Sequence, residues 1–188
     1  MPEPESSEMN LPDYGGFHPI DPIQEVASHD PFPDTSIVSE CTREEVDRAV
    51  CKVLAEINSA LYTAQIDFEW DEENKIIAVD ASLDITLDSG TRIELREQFL
   101  KGILLANREC WSLGRFSYTE DDAGTITPLF RREFFVDETI ERVDIYFLFE
   151  DAANACLCLI AALESILRGD GSPEDITANA FSFPAGHV

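Results

Sequence analysis

The residues that most often carry out chemistry in proteins, histidines above all, are few in this chain. The three histidines are His18, His29 and His187, and all fall before residue 42 or after residue 168, outside the predicted folded core. Zinc sites and histidine-based catalysis need ligands that are held in fixed geometry. The sequence therefore predicts no metal site, no cofactor and no catalytic residue.

The cysteines follow the pattern of small buried residues. There are five of them, an odd number, and three lie inside apolar patterns. Cys156 and Cys158 are separated by one residue, so on a helix their side chains diverge by about 200°. We therefore expect free, mostly buried thiols, no disulfide framework and a reducing cytoplasmic location.

Two acidic runs, 71–73 and 120–122, lie where hairpin turns are predicted. Neither has the ligand spacing of an EF-hand loop, so solvated turns are the first interpretation, and binding of calcium or magnesium remains the alternative. The chain also lacks the glycine-rich phosphate loops and the G-x-S-x-G motif. Together these features favour a protein that is not an enzyme.

A group of arginines stands out in this acidic chain. Arg131 and Arg132 are adjacent, with Arg115 and Arg142 nearby in sequence. On a strand, Arg131 and Arg132 point to opposite faces, so they cannot serve one flat patch. We expect them to pair with carboxylates on neighbouring strands; the alternative is a docking site for an acidic segment.

The stretch 130–149 is unusually aromatic, and around 146–149 more than one face of the predicted helix is apolar. That exceeds what packing on a single sheet requires. A dimer interface or a groove for a protein partner would use the excess. The candidate partner-binding residues are Arg131, Arg132, Phe134, Tyr146, Phe147 and Phe149.

The overall composition limits the possible partners. Thirteen Lys and Arg residues face 38 Asp and Glu residues, which gives a formal net charge of −25, while 44% of residues are hydrophobic. The charge argues against direct binding to nucleic acid or to an anionic membrane. The N-terminus has no signal-peptide pattern, and the longest weakly polar run, 152–163, is shorter than the roughly 20 residues of a bilayer span.

Three regions are expected along the chain. Residues 1–41 hold seven of the ten prolines and nine acidic residues but no Lys or Arg, which predicts an acidic, Pro-rich flexible arm. Its scattered apolar residues could instead lie on the domain or on a partner. Residues 42–168 form the predicted folded domain, and residues 169–188 form a C-terminal tail in which Phe181 and Phe183 could dock.

The predicted elements alternate between helices and antiparallel strands. A capping box at 42–45, followed by apolar residues at helical spacing as far as Leu61, predicts a first helix of about 22 residues. Strands follow at 66–70 and 75–87, a helix at 94–109, a hairpin at 114–119 and 125–136, and a long helix from about Asp137 to Arg168. The expected fold is α+β with order α-ββ(β)-α-ββ-α, an antiparallel sheet with helices packed on it.

Three sequence segments carry a family resemblance: 104–108, 113–118 and 122–126. There, a helix that ends near an Asn is followed by a strand, a Gly-containing hairpin, a second strand and a long helix. Over residues 42–167 the chain resembles the YbjN family of bacterial sensory transduction regulators. The resemblance implies a sandwich like that of type III secretion chaperones, which often form dimers, and it brings no catalytic residues with it.

The sequence thus favours a cytoplasmic, non-enzymatic regulatory or chaperone-like protein that binds a protein partner, as a homodimer. The alternative is an acidic DNA mimic whose surface carboxylates copy phosphates and occupy the basic site of a DNA-binding protein. An enzyme using paired carboxylates is a third hypothesis, but no pair of acids suggests itself.

Overall fold

A computed structural model describes residues 17–28, 38–109, 114–137 and 139–175. Within them, six antiparallel strands form one sheet in the order β1-β2-β3-β4-β6-β5, and helices pack on it. The α+β prediction is confirmed. The elements are α1 Asp21–Ser28, β1 Val38–Glu45, β2 Arg48–Ile57, β3 Ala60–Asp71, β4 Ile76–Leu83, α2 Ile93–Glu109, β5 Arg115–Glu120, β6 Ile126–Phe135 and α3 Arg142–Arg168.

The predicted first helix is wrong: the segment from Thr42 to Leu61 forms the end of β1, a turn, β2 and the start of β3. Thr42 and Glu45 lie in β1, and Val46 is 61% exposed in the turn. Apolar residues occupy both odd and even positions here, so the segment fits a helical stripe and a strand equally well. Pairing of β2 with strands on both sides decides the outcome, because it satisfies every backbone group that a strand presents.

The β2–β3 turn shows a hairpin signal that the helix prediction passed over. Asn58 and Ser59 have φ angles of 52° and 64°, both left-handed, as a two-residue type I′ turn requires. Asn58 Nδ2 donates to Glu164 Oε2 at 2.8 Å, and Arg168 lies 3.4 Å from the same carboxylate. The turn is therefore tied to the C-terminal end of α3.

The three helices of the described residues lie on one face of the sheet. Helix α3 packs against β2, β3 and β4, α1 packs against β1 and α3, and α2 packs against α3 and β5. The core fills the space between, with Phe68 and Phe149 rings 6.1 Å apart and Phe116 and Phe130 rings 5.1 Å apart. The opposite face of the sheet carries no helix among the described residues.

The later elements match their predictions closely. Helix α2, the β5–β6 hairpin and the end of α3 at Gly169, in the left-handed conformation, lie where expected. Helix α3 begins later than predicted, at Arg142, because Glu141 and Asp144 form a capping box there. By length and composition α3 is the one helix among the described residues that could cross a membrane; 56% of its most apolar window is buried, and a core helix meets the same test.

The folded domain begins before residue 42. Ile20 and Ile23 are fully buried, and α1 packs on β1, β2 and α3, so residues 17–28 belong to the domain and not to a flexible arm. For Ile20 and Ile23, the alternative prediction is correct: these apolar residues of the N-terminal segment lie on the domain. The predictions for residues 1–16, 29–37 and 176–188, including Phe181, Phe183, His29 and His187, lie outside the described residues, as does Cys110.

Candidate functional site

Strand β6 divides the candidate residues between the two faces of the sheet. Phe130, Arg132 and Phe134 face the helices, whereas Arg131 and Phe135 face the open side. The prediction that Arg131 and Arg132 point in opposite directions is confirmed. The six candidate residues therefore do not form one site.

Arg132 links β6 to α3. Its Nη1 lies 3.3 Å from Asp151 Oδ2, and its guanidinium lies 5.9 Å from the centre of the Phe134 ring. Burial raises the pKa of Asp151, and the Arg132 charge opposes that shift. The arginine is thus held by one acid and one ring, and only 19% of its side chain is exposed.

Phe147 is the exposed aromatic residue of α3, with 55% of its surface accessible, and Val143 one turn earlier is 42% exposed. Phe147 precedes Asp151 by one turn, a rise of about 6 Å. Phe134 follows Arg132 by two strand residues, about 6.6 Å. Phe134 and Phe147 therefore both lie close to the Arg132–Asp151 ion pair.

Two predicted partner-binding residues face other parts of the molecule. Phe149 is fully buried in the core, where it contacts Phe68. Tyr146 is half-buried, and its hydroxyl donates to Glu25 Oε2 of α1 at 2.9 Å. The cause is helix geometry: each residue turns the side-chain direction by about 100°, so residues 146, 147 and 149 face three different surroundings.

Arg131 lies on the open face, 3.9 Å from Asp80 on the adjacent strand β4 and 3.4 Å from Glu133. The expected pairing with a carboxylate on a neighbouring strand is confirmed for Asp80. Arg131 also lines two shallow cavities, of about 370 and 580 Å³. The larger one lies at the start of β5, among Gly114, Arg115, Arg131, Arg132 and Glu133.

Phe135 was absent from the predicted site, although it is 72% exposed, the most exposed of the large apolar residues described. It pairs in register with Ile76, the first residue of β4, on the open face. The sequence carries the signal: in the pair Phe134-Phe135 on a strand, one ring must leave the core face.

The end of β6 has a strand neighbour on one side only, within the described residues. Residues 132–135 pair with β4, whereas β5 pairs with β6 no further than Arg131. Gly114, with φ of 131°, precedes β5, and a Cβ there would lie 2.6 Å from the carbonyl oxygen of Arg131. We call the surface around this strand end the β6–α3 surface: Arg132, Phe134, Phe135, Val143 and Phe147.

The described part of the chain contains no group of three or more His, Cys, Asp or Glu side chains placed to hold a metal ion. His18, which lies just before α1, is among the described residues, and its Nε2 lies 3.0 Å from Oδ1 of Asp47 in the β1–β2 turn. Its ring therefore joins the segment before α1 to the β1–β2 turn.

A scan against protein-family models and a search of curated proteins found no match to this chain. The resemblance to the YbjN family stays a prediction.

Proposed function

We propose that this is a cytoplasmic, non-enzymatic regulatory or chaperone-like protein that binds a protein partner through the β6–α3 surface and associates as a homodimer. The observation that carries the proposal is the exposure of two phenylalanines, Phe135 at 72% and Phe147 at 55%, on either side of the β6 end.

Exposed rings next to a strand edge suit the binding of an extended segment. A strand edge offers backbone donors and acceptors, which give affinity, while flanking aromatic side chains supply apolar contact area. Arg132, the arginine of this surface, is already paired with Asp151, so covering it costs less than burying a lone guanidinium.

A second copy of the chain satisfies the same requirements. Two β6 ends related by a two-fold axis can pair antiparallel, each supplying Phe135 and Phe147 to the other. The resemblance to secretion chaperones also implies dimers. The interface would then be self-complementary, and the acidic surfaces elsewhere would stay in solvent.

The association is tested by light scattering at micromolar concentration. We expect the wild type to have the mass of a dimer and the double variant Phe135→Ser/Phe147→Ser that of a monomer. Leu61→Ser is the matched control, because Leu61 is 65% exposed on the open face of the sheet, as Phe135 is, but at the opposite end of the strands. The Leu61→Ser variant should remain dimeric. A monomeric wild type would refute the dimer.

Partner binding is tested separately by affinity capture from a lysate of the source cells, with wild type, double variant and control as baits. A protein retained by the wild type and the control but lost by the double variant supports the proposal. Equal retention by all three shows that another surface binds.

The DNA-mimic hypothesis receives less support from the charges of the open face. Asp67 is paired with Arg48, and Asp80 lies near Arg131. Such pairing breaks up an array of free carboxylates, which a mimic of phosphate spacing requires. Capture of a nucleic-acid enzyme that DNA displaces would reverse this preference.

A further inference from the structure

Two cysteines of the β1–β2 hairpin face each other directly. Cys41 of β1 and Cys51 of β2 are paired in register, and both are free thiols. Cys51 is fully buried and lies on the same face of β2 as buried Ala49 and Val53. Side chains of directly opposed residues lie on the same face of a sheet, so both thiols lie on the side that carries the helices.

The hydrogen-bond pattern tells which kind of pair this is. The amide of Trp70 on β3 donates to the carbonyl of Asp47, just before β2, at 2.8 Å. The β2–β3 register is unbroken from residue 48 to 57, so odd-numbered residues of β2 direct their backbone groups to β3. Cys51 is odd-numbered, and Cys41–Cys51 is therefore a non-hydrogen-bonded pair of the β1–β2 ladder.

That pairing matches the separation that a disulfide needs. In non-hydrogen-bonded pairs the Cα atoms are about 4.5 Å apart and the side chains are close. Disulfides span Cα separations of about 4.4–6.8 Å. The backbone is already placed for a bond between the two sulfurs, unlike the Cys156 and Cys158 pair, whose side chains diverge by about 200° on α3.

The two thiols differ in access and in acidity. Cys41 is only half-buried, whereas Cys51 has no exposed surface. A hydrogen bond between the two side chains lowers the pKa of Cys41 and raises that of Cys51, which burial raises further. Cys41 is thus the accessible thiol from which exchange would start, since the thiolate is the nucleophile.

We propose that Cys41 and Cys51 form an oxidisable dithiol site whose substrate is a low-molecular-weight disulfide of the glutathione class. The Cys41 thiolate attacks one sulfur of that disulfide, forms a mixed disulfide and releases one small thiolate. The Cys51 sulfur then attacks the Cys41 sulfur, and the Cys51 proton passes to the small thiolate that departs. The second small thiolate leaves, so two cysteines are oxidised by two electrons and one small disulfide is reduced to two thiols.

The product ties the edge strand of the sheet to its neighbour. Strand β1 pairs only with β2 among the described residues, and it carries α1 through Arg43, whose Nη1 donates to Asp21 Oδ1 at 2.5 Å. A covalent bond between β1 and β2 therefore also fixes the strand to which α1 is attached. Oxidation should accordingly raise the unfolding temperature, and a reductant should reverse the rise.

The test is titration of the folded full-length protein with mixtures of reduced and oxidised glutathione, followed by alkylation in denaturant, which exposes every remaining thiol, and mass spectrometry. We expect two of the five thiols to become resistant to alkylation. Trypsin cuts after Arg43 and Arg48, between the two cysteines, so their peptides should remain joined until reduced. The variant Cys51→Ala should instead accumulate a mixed disulfide at Cys41.

The double variant Cys156→Ala/Cys158→Ala is the control, and it should form the Cys41–Cys51 bond as the wild type does. Circular dichroism shows whether a variant is misfolded: every variant should have the wild-type spectrum before titration. Mixed disulfides alone in the wild type, or a bond between other cysteines, would overturn the proposal.

Discussion

For single residues, the direction in which a side chain points determines its exposure more than its chemical type does. Phe147 and Phe149 are chemically identical neighbours in α3, yet one is 55% exposed and the other is fully buried. Asn107 shows the same dependence on position. Its Nδ2 donates to the carbonyl of Phe116 at 2.6 Å, and its Oδ1 accepts from the Phe116 amide at 2.5 Å. The amide group thereby takes the place of a neighbouring strand at the edge of β5.

Replacing Asn107 with Ala should lower the free energy of unfolding by about 1–2 kcal/mol, because a backbone donor and acceptor of the buried residue Phe116 lose their partners. Urea denaturation measures the change. Gln98→Ala, at an exposed position of the same helix, is the control and should stay within about 0.5 kcal/mol of wild type. An Asn107→Ala variant as stable as that control would show that water replaces the amide at no cost.

At the scale of elements, α1 is attached to the rest of the domain by a few polar contacts and two buried isoleucines. Glu25 accepts hydrogen bonds from Arg142 and from Tyr146, and the Arg142 guanidinium lies 5.2 Å from the Phe17 ring. These contacts join the N-terminal segment to the first turns of α3. They explain why this short helix, low in intrinsic stability, forms here.

The pH dependence of this attachment follows from Glu25. The hydrogen bond from Arg142 lowers the pKa of Glu25, and Tyr146 adds to the effect, although burial opposes it. The ionised Glu25 side chain therefore stabilises the fold fully above the pKa of about 4.3 that it has in the unfolded chain. This stabilisation is lost as the pH falls through the lower pKa that Glu25 has in the folded protein.

We accordingly expect Glu25→Gln to destabilise the protein at pH 7 by less than about 1 kcal/mol, because both partners are more than a third exposed, and to have a smaller effect at pH 3. Urea denaturation at both pH values measures this difference. Glu97→Gln, an exposed change on α2, provides the comparison. An effect of Glu25→Gln that grows toward low pH would contradict the assigned ion pair.

At the scale of the whole molecule, the net charge of −25 opposes the compact state. The surface ion pairs involve side chains that are mostly more than a third exposed, and such pairs contribute little each. Repulsion among the unpaired carboxylates is therefore the larger electrostatic effect. The protein should be more stable when that repulsion is screened.

Raising NaCl from 10 to about 150 mM shortens the screening length from about 30 to 8 Å, and it should raise the unfolding temperature by several degrees. Differential scanning calorimetry measures the shift, and KCl should give the same result. A fall in the unfolding temperature would mean that the ion pairs outweigh the repulsion. A larger rise with Mg²⁺ or Ca²⁺ at equal ionic strength would indicate cation binding at the acidic hairpin turns.

The elements whose signals are local can be predicted from the sequence alone. Helix α2, the β5–β6 hairpin and the end of α3 could be predicted because periodicity, turn residues and Gly169 act within a few neighbouring residues. The strands within residues 42–61 depend on long-range pairing, because their apolar pattern fits two periods and the choice rests on hydrogen bonds of β2 to β1 and β3. The tertiary structure also decided the site: the exposure of Phe135 and Phe147 and the burial of Phe149 follow from where α3 lies on the sheet, which no local pattern specifies.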